Sequence, residues 1–166
     1  MRLMATFLLV LGCFGGTIRA ECTVTTGESP KLVNLRLGMS PEEVNAALGG
    51  ASTVKVKKDT RYTHYRRFKK GKAKGQLAGV KTFWIRFFEK RVYSIEVFFH
   101  EYGNFQDVEY LAKRYSAAHD FAYENFEVKY GYARAECEGF SVKADYILDP
   151  HIEISDTNVV ESLKQK

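Results

Sequence analysis

The residues with chemistry to offer are few and scattered. Four histidines stand at His64, His100, His119 and His151, and no two lie three or four positions apart, nor has any a cysteine at that spacing. Such spacing is what places two zinc ligands together on a helix, so no metal site is legible. His64 and His100 both fall in segments of strand character and can meet across a sheet, although two separately solvated strand histidines are the commoner arrangement. No Gly-x-Ser-x-Gly elbow, phosphate loop or dinucleotide fingerprint occurs. Glu42 and Glu43 are a tempting acid–base pair, but they stand in the first turn of an expected helix, where capping and the helix dipole account for them. No catalytic residue, metal or cofactor is expected, and the chain reads as non-enzymatic.

Charge supplies the one positive signal. Between positions 55 and 81 stand eleven Lys or Arg residues against a single acid, Asp59, a local balance of +10. With residues 1–20 set aside, 23 basic residues face 20 acidic ones, so everything outside that segment sums to −7. Lys55, Lys57, Lys58, Arg61, Arg66, Arg67, Lys69, Lys70, Lys72 and Lys74 are the candidate anion-binding residues, with Tyr62, Tyr65 and Phe68 interleaved. Cations mixed with aromatic rings suit an anionic lipid or polysaccharide, with peripheral membrane contact. A solvated edge hairpin whose lysines discourage edge-to-edge pairing explains the same residues without a ligand. Nucleic acid is not the expected partner of an exported chain.

Export is the expectation from the first twenty residues. Met1-Arg2-Leu3 is a short positive start, and Met4 to Leu11 is an apolar run of signal-peptide length, too short for the roughly 20 residues a membrane span needs. Cleavage after Ala20 leaves residues 21–166 as a single periplasmic or secreted domain. Val10-Leu11-Gly12-Cys13 loosely matches a lipoprotein box, which makes lipid anchoring at Cys13 the alternative. Cys22 and Cys137 then remain, an even pair in an exported chain and hence an expected disulfide, worth on the order of 4–5 kcal/mol in the chain-entropy picture. No C-x-x-C supports a redox or metal role for them.

The elements that would position these residues follow from periodicity. Residues 21–32 read as an extended arm tied down by Cys22, and Val33, Leu35 and Leu37 alternate as a short strand. Ser40 suits an N-cap, Pro41 the first helical position and Glu43 the third, while Gly49-Gly50 ends the helix. Val54 and Val56 alternate with lysines as a half-buried strand, Tyr62 to Phe68 as another, and Lys69 to Leu77 as a loop. Phe83, Ile85 and Phe87, then Tyr93, Ile95, Val97 and Phe99, predict an antiparallel hairpin with odd-numbered residues facing the core. Trp84, Phe88 and Phe98 fall on its other face, beside Arg86, Ser94, Glu96 and His100, as a candidate protein-contact surface. Asn104 can cap a second helix bearing Phe105, Val108, Leu111, Ala112, Tyr115 and Ala118. Phe126 to Tyr132, Phe140 to Leu148 and Ile152 to Ile154 predict further strands, and Asp156 caps a terminal helix. The fold class expected is α+β, with short helices packed on one face of a curved antiparallel sheet.

The run Gly38-Met39-Ser40-Pro41-Glu42-Glu43-Val44 with Leu48-Gly49 resembles a motif of exported bacterial envelope proteins. These are the small outer-membrane assembly lipoproteins and the beta-lactamase-inhibitor-like modules that share their fold. The resemblance covers about 16 residues and implies the same α+β module. The expected function is a non-enzymatic exported module that binds a protein or an envelope component. Two alternatives stand beside it: electrostatic binding of anionic lipid or polysaccharide through 55–81, and an inhibitor-like role in which Trp84, Phe88 and Phe98 dock an exported enzyme.

Overall fold

A computed structural model describes residues 22–100, 112–113, 121–145 and 149–165. The expected leader, Cys13 and most of the second helix lie outside these; of that helix Ala112 and Lys113 are described, both helical, with Ala112 buried. The strands are β1 (Cys22–Thr25), β2 (Arg61–Arg67), β3 (Val80–Phe88), β4 (Arg91–Phe99), β5 (Glu127–Lys129), β6 (Tyr132–Glu138), β7 (Phe140–Asp145) and β8 (His151–Asp156). They form one eight-stranded sheet in the order β1-β6-β7-β8-β4-β3-β2, with β5 also paired to β6. Two short helices described from end to end, α1 (Pro41–Leu48) and α2 (Thr157–Lys164), accompany the sheet in an α+β fold.

The sheet is antiparallel except where β1 runs parallel to β6. At that pair Cys22 and Cys137 are direct neighbours, with Cα atoms 4.6 Å apart, and form the expected disulfide. The adjoining β6–β7 turn needs Gly139, which has φ +81 and no room for a Cβ beside Thr26 Oγ1.

One face of the sheet holds the core. Phe83, Ile85 and Phe87 of β3 and Ile95 and Val97 of β4 are fully buried there with Val142, Ala144, Ile152 and Ile154. Val44 and Leu48 of α1 join the same cluster, with Met39 and Ala47 at its margin. Ser40 and Glu43 form the reciprocal capping box, and Gly49 closes the helix in the left-handed conformation. The backbone of Gly38 and Met39 is stitched to Val92, through Gly38 N–H to the Val92 carbonyl (2.8 Å) and Val92 N–H to the Met39 carbonyl (3.0 Å). The helix motif is thereby fixed against the start of β4. Asp156 caps α2 as expected, but this helix lies against β7 and β8 without fully burying any residue.

Several expectations need correction. The apolar residues at 33–37 are buried but not as a strand: Leu32 and Leu35 bridge each other around a two-residue turn with Val33 and Asn34 at positive φ. Val54 and Val56 do not form a strand either; Val54 is buried and Val56 is 51% exposed. The side-chain amide of Asn45 takes the place of a strand neighbour, donating to the Val54 carbonyl (3.0 Å) and accepting from its N–H (2.6 Å). In the central hairpin the register slips between Arg86 and Phe87, leaving Tyr93 as a bulge. Val92 takes the core position and Tyr93 is buried outside the central cluster. The run from Phe126 to Tyr132 is two strands, because Tyr130-Gly131 makes a hairpin turn, with Gly131 at φ 84. Beyond Asp145, the expected strand residues Tyr146 and Leu148 lie outside the described residues.

Candidate functional site

β2 ends the sheet, and its pairing with β3 fixes where every part of it points. Thr60 accepts from Glu89 N–H and Phe68 donates to the Lys81 carbonyl. In an antiparallel ladder bonded positions alternate, so Tyr62, His64 and Arg66 face β3 through their backbone. Arg61, Thr63, Tyr65 and Arg67 then turn their N–H and C=O groups outward, and no described residue pairs with them.

The ten candidate anion-binding residues gather along this edge. Lys55, Lys57 and Lys58 precede β2, Arg61, Arg66 and Arg67 lie on it, Lys69, Lys70, Lys72 and Lys74 follow it, and all are exposed. Arg66 points to the core side of the edge, its guanidinium 5.8 Å from the centre of the Phe68 ring, while Arg61 and Arg67 point to the opposite side. Positive charge therefore wraps the edge. Among the described residues none of the ten has a carboxylate partner, whereas the cations on the other strands do. Lys81 meets Asp149 (2.6 Å), Arg91 meets Glu43 (3.7 Å), Lys143 meets Asp145 (2.9 Å), and Arg134 meets Glu136.

The interleaved aromatics divide. Tyr62 is buried and stacks on Phe87 at 4.7 Å, and Phe68 packs at the core margin, so neither serves a surface ligand. Burial, then the charge of Glu42, pushes the Tyr62 hydroxyl above its ordinary pKa, and its oxygen finds no hydrogen-bond partner among the described residues. Tyr65 alone faces solvent, 52% exposed, in edge contact with Trp84 at 5.8 Å.

Trp84 is itself 38% exposed and touches Phe98 at 6.3 Å. Phe88 is not part of that contact: it sits two steps further along the same face, beyond Arg86. Of the three expected contact residues, two are together. Beside them lies a polar network the sequence did not disclose. Arg86 donates to Glu96 (2.6 Å) and Ser94 (2.8 Å), and Ser94 donates to Glu153 (3.1 Å). Glu96 and Glu153 are direct partners across β4 and β8, and the Arg86 guanidinium between them offsets their like charge. Each of these residues was readable as facing away from the core; that β8 lies beside β4 was not.

The three described histidines stay apart, and His119 lies outside the described residues. His64 bonds Ser52 Oγ (2.8 Å), and its partial burial, then Arg66, holds its pKa below the ordinary value. His100 lies against the Phe68 carbonyl (3.2 Å), with β3 between the two strands concerned. His151 donates through Nδ1 to the Asp149 carbonyl (2.9 Å), with Nε2 3.8 Å from Glu96. Among the described residues no three His, Cys, Asp or Glu gather as a metal site, and no helix is long and apolar enough to cross a membrane. A cleft of about 350 Å³ opens between the start of α1 and the β3–β4 turn, lined by Ser40, Pro41, Glu42, Val56, Glu89, Lys90 and Arg91. Its charges are mixed and it lies apart from Tyr65 and Trp84. Comparison of the chain with protein-family models, with curated proteins and with solved structures finds no match.

Proposed function

We propose that the chain is an exported, non-enzymatic binding module of the cell envelope whose contact surface is the basic edge at β2. The observation that carries this reading is the contrast in charge pairing. Cations elsewhere on the sheet sit against carboxylates, while those from Lys55 to Lys74 are exposed without one among the described residues. Like charges crowded together destabilise the free protein, and an anionic partner relieves that repulsion. Tyr65 and Trp84 add an aromatic contact beside the cations. The short helix motif, the apolar leader and the Cys22–Cys137 disulfide support an exported module.

Binding of anionic vesicles, lipopolysaccharide and polyglutamate, followed between low and moderate salt, tests this. At least one is expected to bind with an affinity that falls about tenfold or more over that range, because released counterions drive the association. Replacing Arg66, Arg67, Lys69 and Lys70 together by Ser is expected to weaken binding by a similar factor with the circular dichroism spectrum unchanged. Binding by none of the three, or binding indifferent to both salt and the four substitutions, would refute the reading.

A second reading rests on Trp84. An exposed tryptophan in contact with Tyr65 and Phe98 suits docking of a partner protein, as in the inhibitor-like role. Trp84→Ala abolishing capture of an exported enzyme would favour it; capture that survives the change would exclude Trp84 as the anchor.

A further inference from the structure

The basic surface has a backbone component that charge alone leaves unexplained. From it we infer that the partner is an extended acidic polypeptide segment that adds to the sheet as a ninth strand along β2. This rests on the assignment of the basic edge as the contact surface and specifies what binds there.

The two edges of the sheet differ. At the far edge β1 and β5 are short, four and three residues, and one of them is held by the disulfide. Short strands are one way an edge is kept from pairing with other chains. β2 has seven regularly paired residues without a bulge, and its outward backbone groups at Arg61, Thr63, Tyr65 and Arg67 have no partner among the described residues. Donors and acceptors then recur at about 6.8 Å, twice the rise per residue, along an edge of roughly 20 Å. A lipid surface or a polysaccharide has no groups spaced to meet that ladder, whereas an extended peptide has both kinds in register.

Charge selects which peptide. Arg61 and Arg67 flank the two ends of the strand on one side, Arg66 stands on the other, and lysines continue beyond both ends. A second copy of β2 is repelled by the same residues, which keeps the edge from pairing with itself. A strand carrying Asp or Glu at alternate positions turns its carboxylates toward Arg61 and Arg67 on the Tyr65 side while its backbone completes the ladder, and the residues between them fall on the Arg66 side.

The test uses a capped ten-residue peptide alternating Glu and Val, and a counterpart methylated at the backbone nitrogens of its six central residues. Methylation keeps the charge and removes the donors. The unmethylated peptide is expected to bind at least tenfold more tightly, and to slow hydrogen exchange at the Thr63, Tyr65 and Arg67 amides, which are otherwise open. Equal binding of the two peptides, with exchange at those amides unchanged, would overturn strand addition while leaving a charge-driven basic site standing. Binding of vesicles but of neither peptide would also overturn it. Binding by no anionic probe at all would remove the basic site with it. Exchange slowed at Thr63, Tyr65 and Arg67 by the unmethylated peptide alone supports the inference even where affinities are too weak to rank.

Discussion

His64 lies on β2 with its ring 5.9 Å from Phe83 and its Nε2 on Ser52 Oγ. Partial burial disfavours the imidazolium, and Arg66 adds like-charge repulsion, so the folded state holds this proton less readily than the unfolded chain. The sign follows from linkage. Stability is full above the ordinary value of 6.5 and declines as pH falls through it toward the lower folded-state value. Urea unfolding at several pH values between about 7.5 and 5.5 is expected to show a midpoint that drops on acidification. The drop should be smaller in His64→Gln. An equal drop in both proteins would assign the acid sensitivity to other groups.

At the scale of elements, the β3–β4 turn is built from residues poorly suited to it. Glu89 and Lys90 both adopt positive φ, 48 and 62 degrees, the geometry that a two-residue hairpin turn asks of Asn-Gly. Replacing the pair by Asn-Gly is expected to stabilise the domain by about 1 kcal/mol in chemical denaturation. No gain would mean that contacts of the native pair offset the strain. This turn also shows where the sequence was readable. Alternation placed both strands, and polar residues marked the turn. The bulge at Tyr93 did not show in the alternation; it stands next to Val92, whose backbone bonds Gly38 and Met39 of a distant segment. Helix α1 was legible to the residue because capping is local chemistry: Ser40, Pro41, Glu43 and Gly49 each act within one turn. Val54 and Val56 misled because alternation signals a strand only where a neighbour exists, and the neighbour here is the Asn45 side chain. Of the candidate site, the cations were legible as a run, but their arrangement along an open edge depended on the strand order. The network around Arg86 was invisible for the same reason, since β8 is far from β4 in the chain.

Across the whole molecule, the two ends of the sheet differ in construction. One end is closed by the short strands β1 and β5 and by the Cys22–Cys137 disulfide. The other ends in β2, where the +10 segment sits against a remainder of −7 after residues 1–20. On the proposed function, that asymmetry would orient an approaching anion toward one edge, and salt would blunt it. Amide chemical shifts recorded during a polyglutamate titration at low salt examine this most directly. Shifts confined to residues 55–74 and Trp84, and reversed by added salt, are expected. Shifts centred on β1, β5 and β6, or none at saturating ligand, would contradict the assignment of the β2 edge as the contact surface.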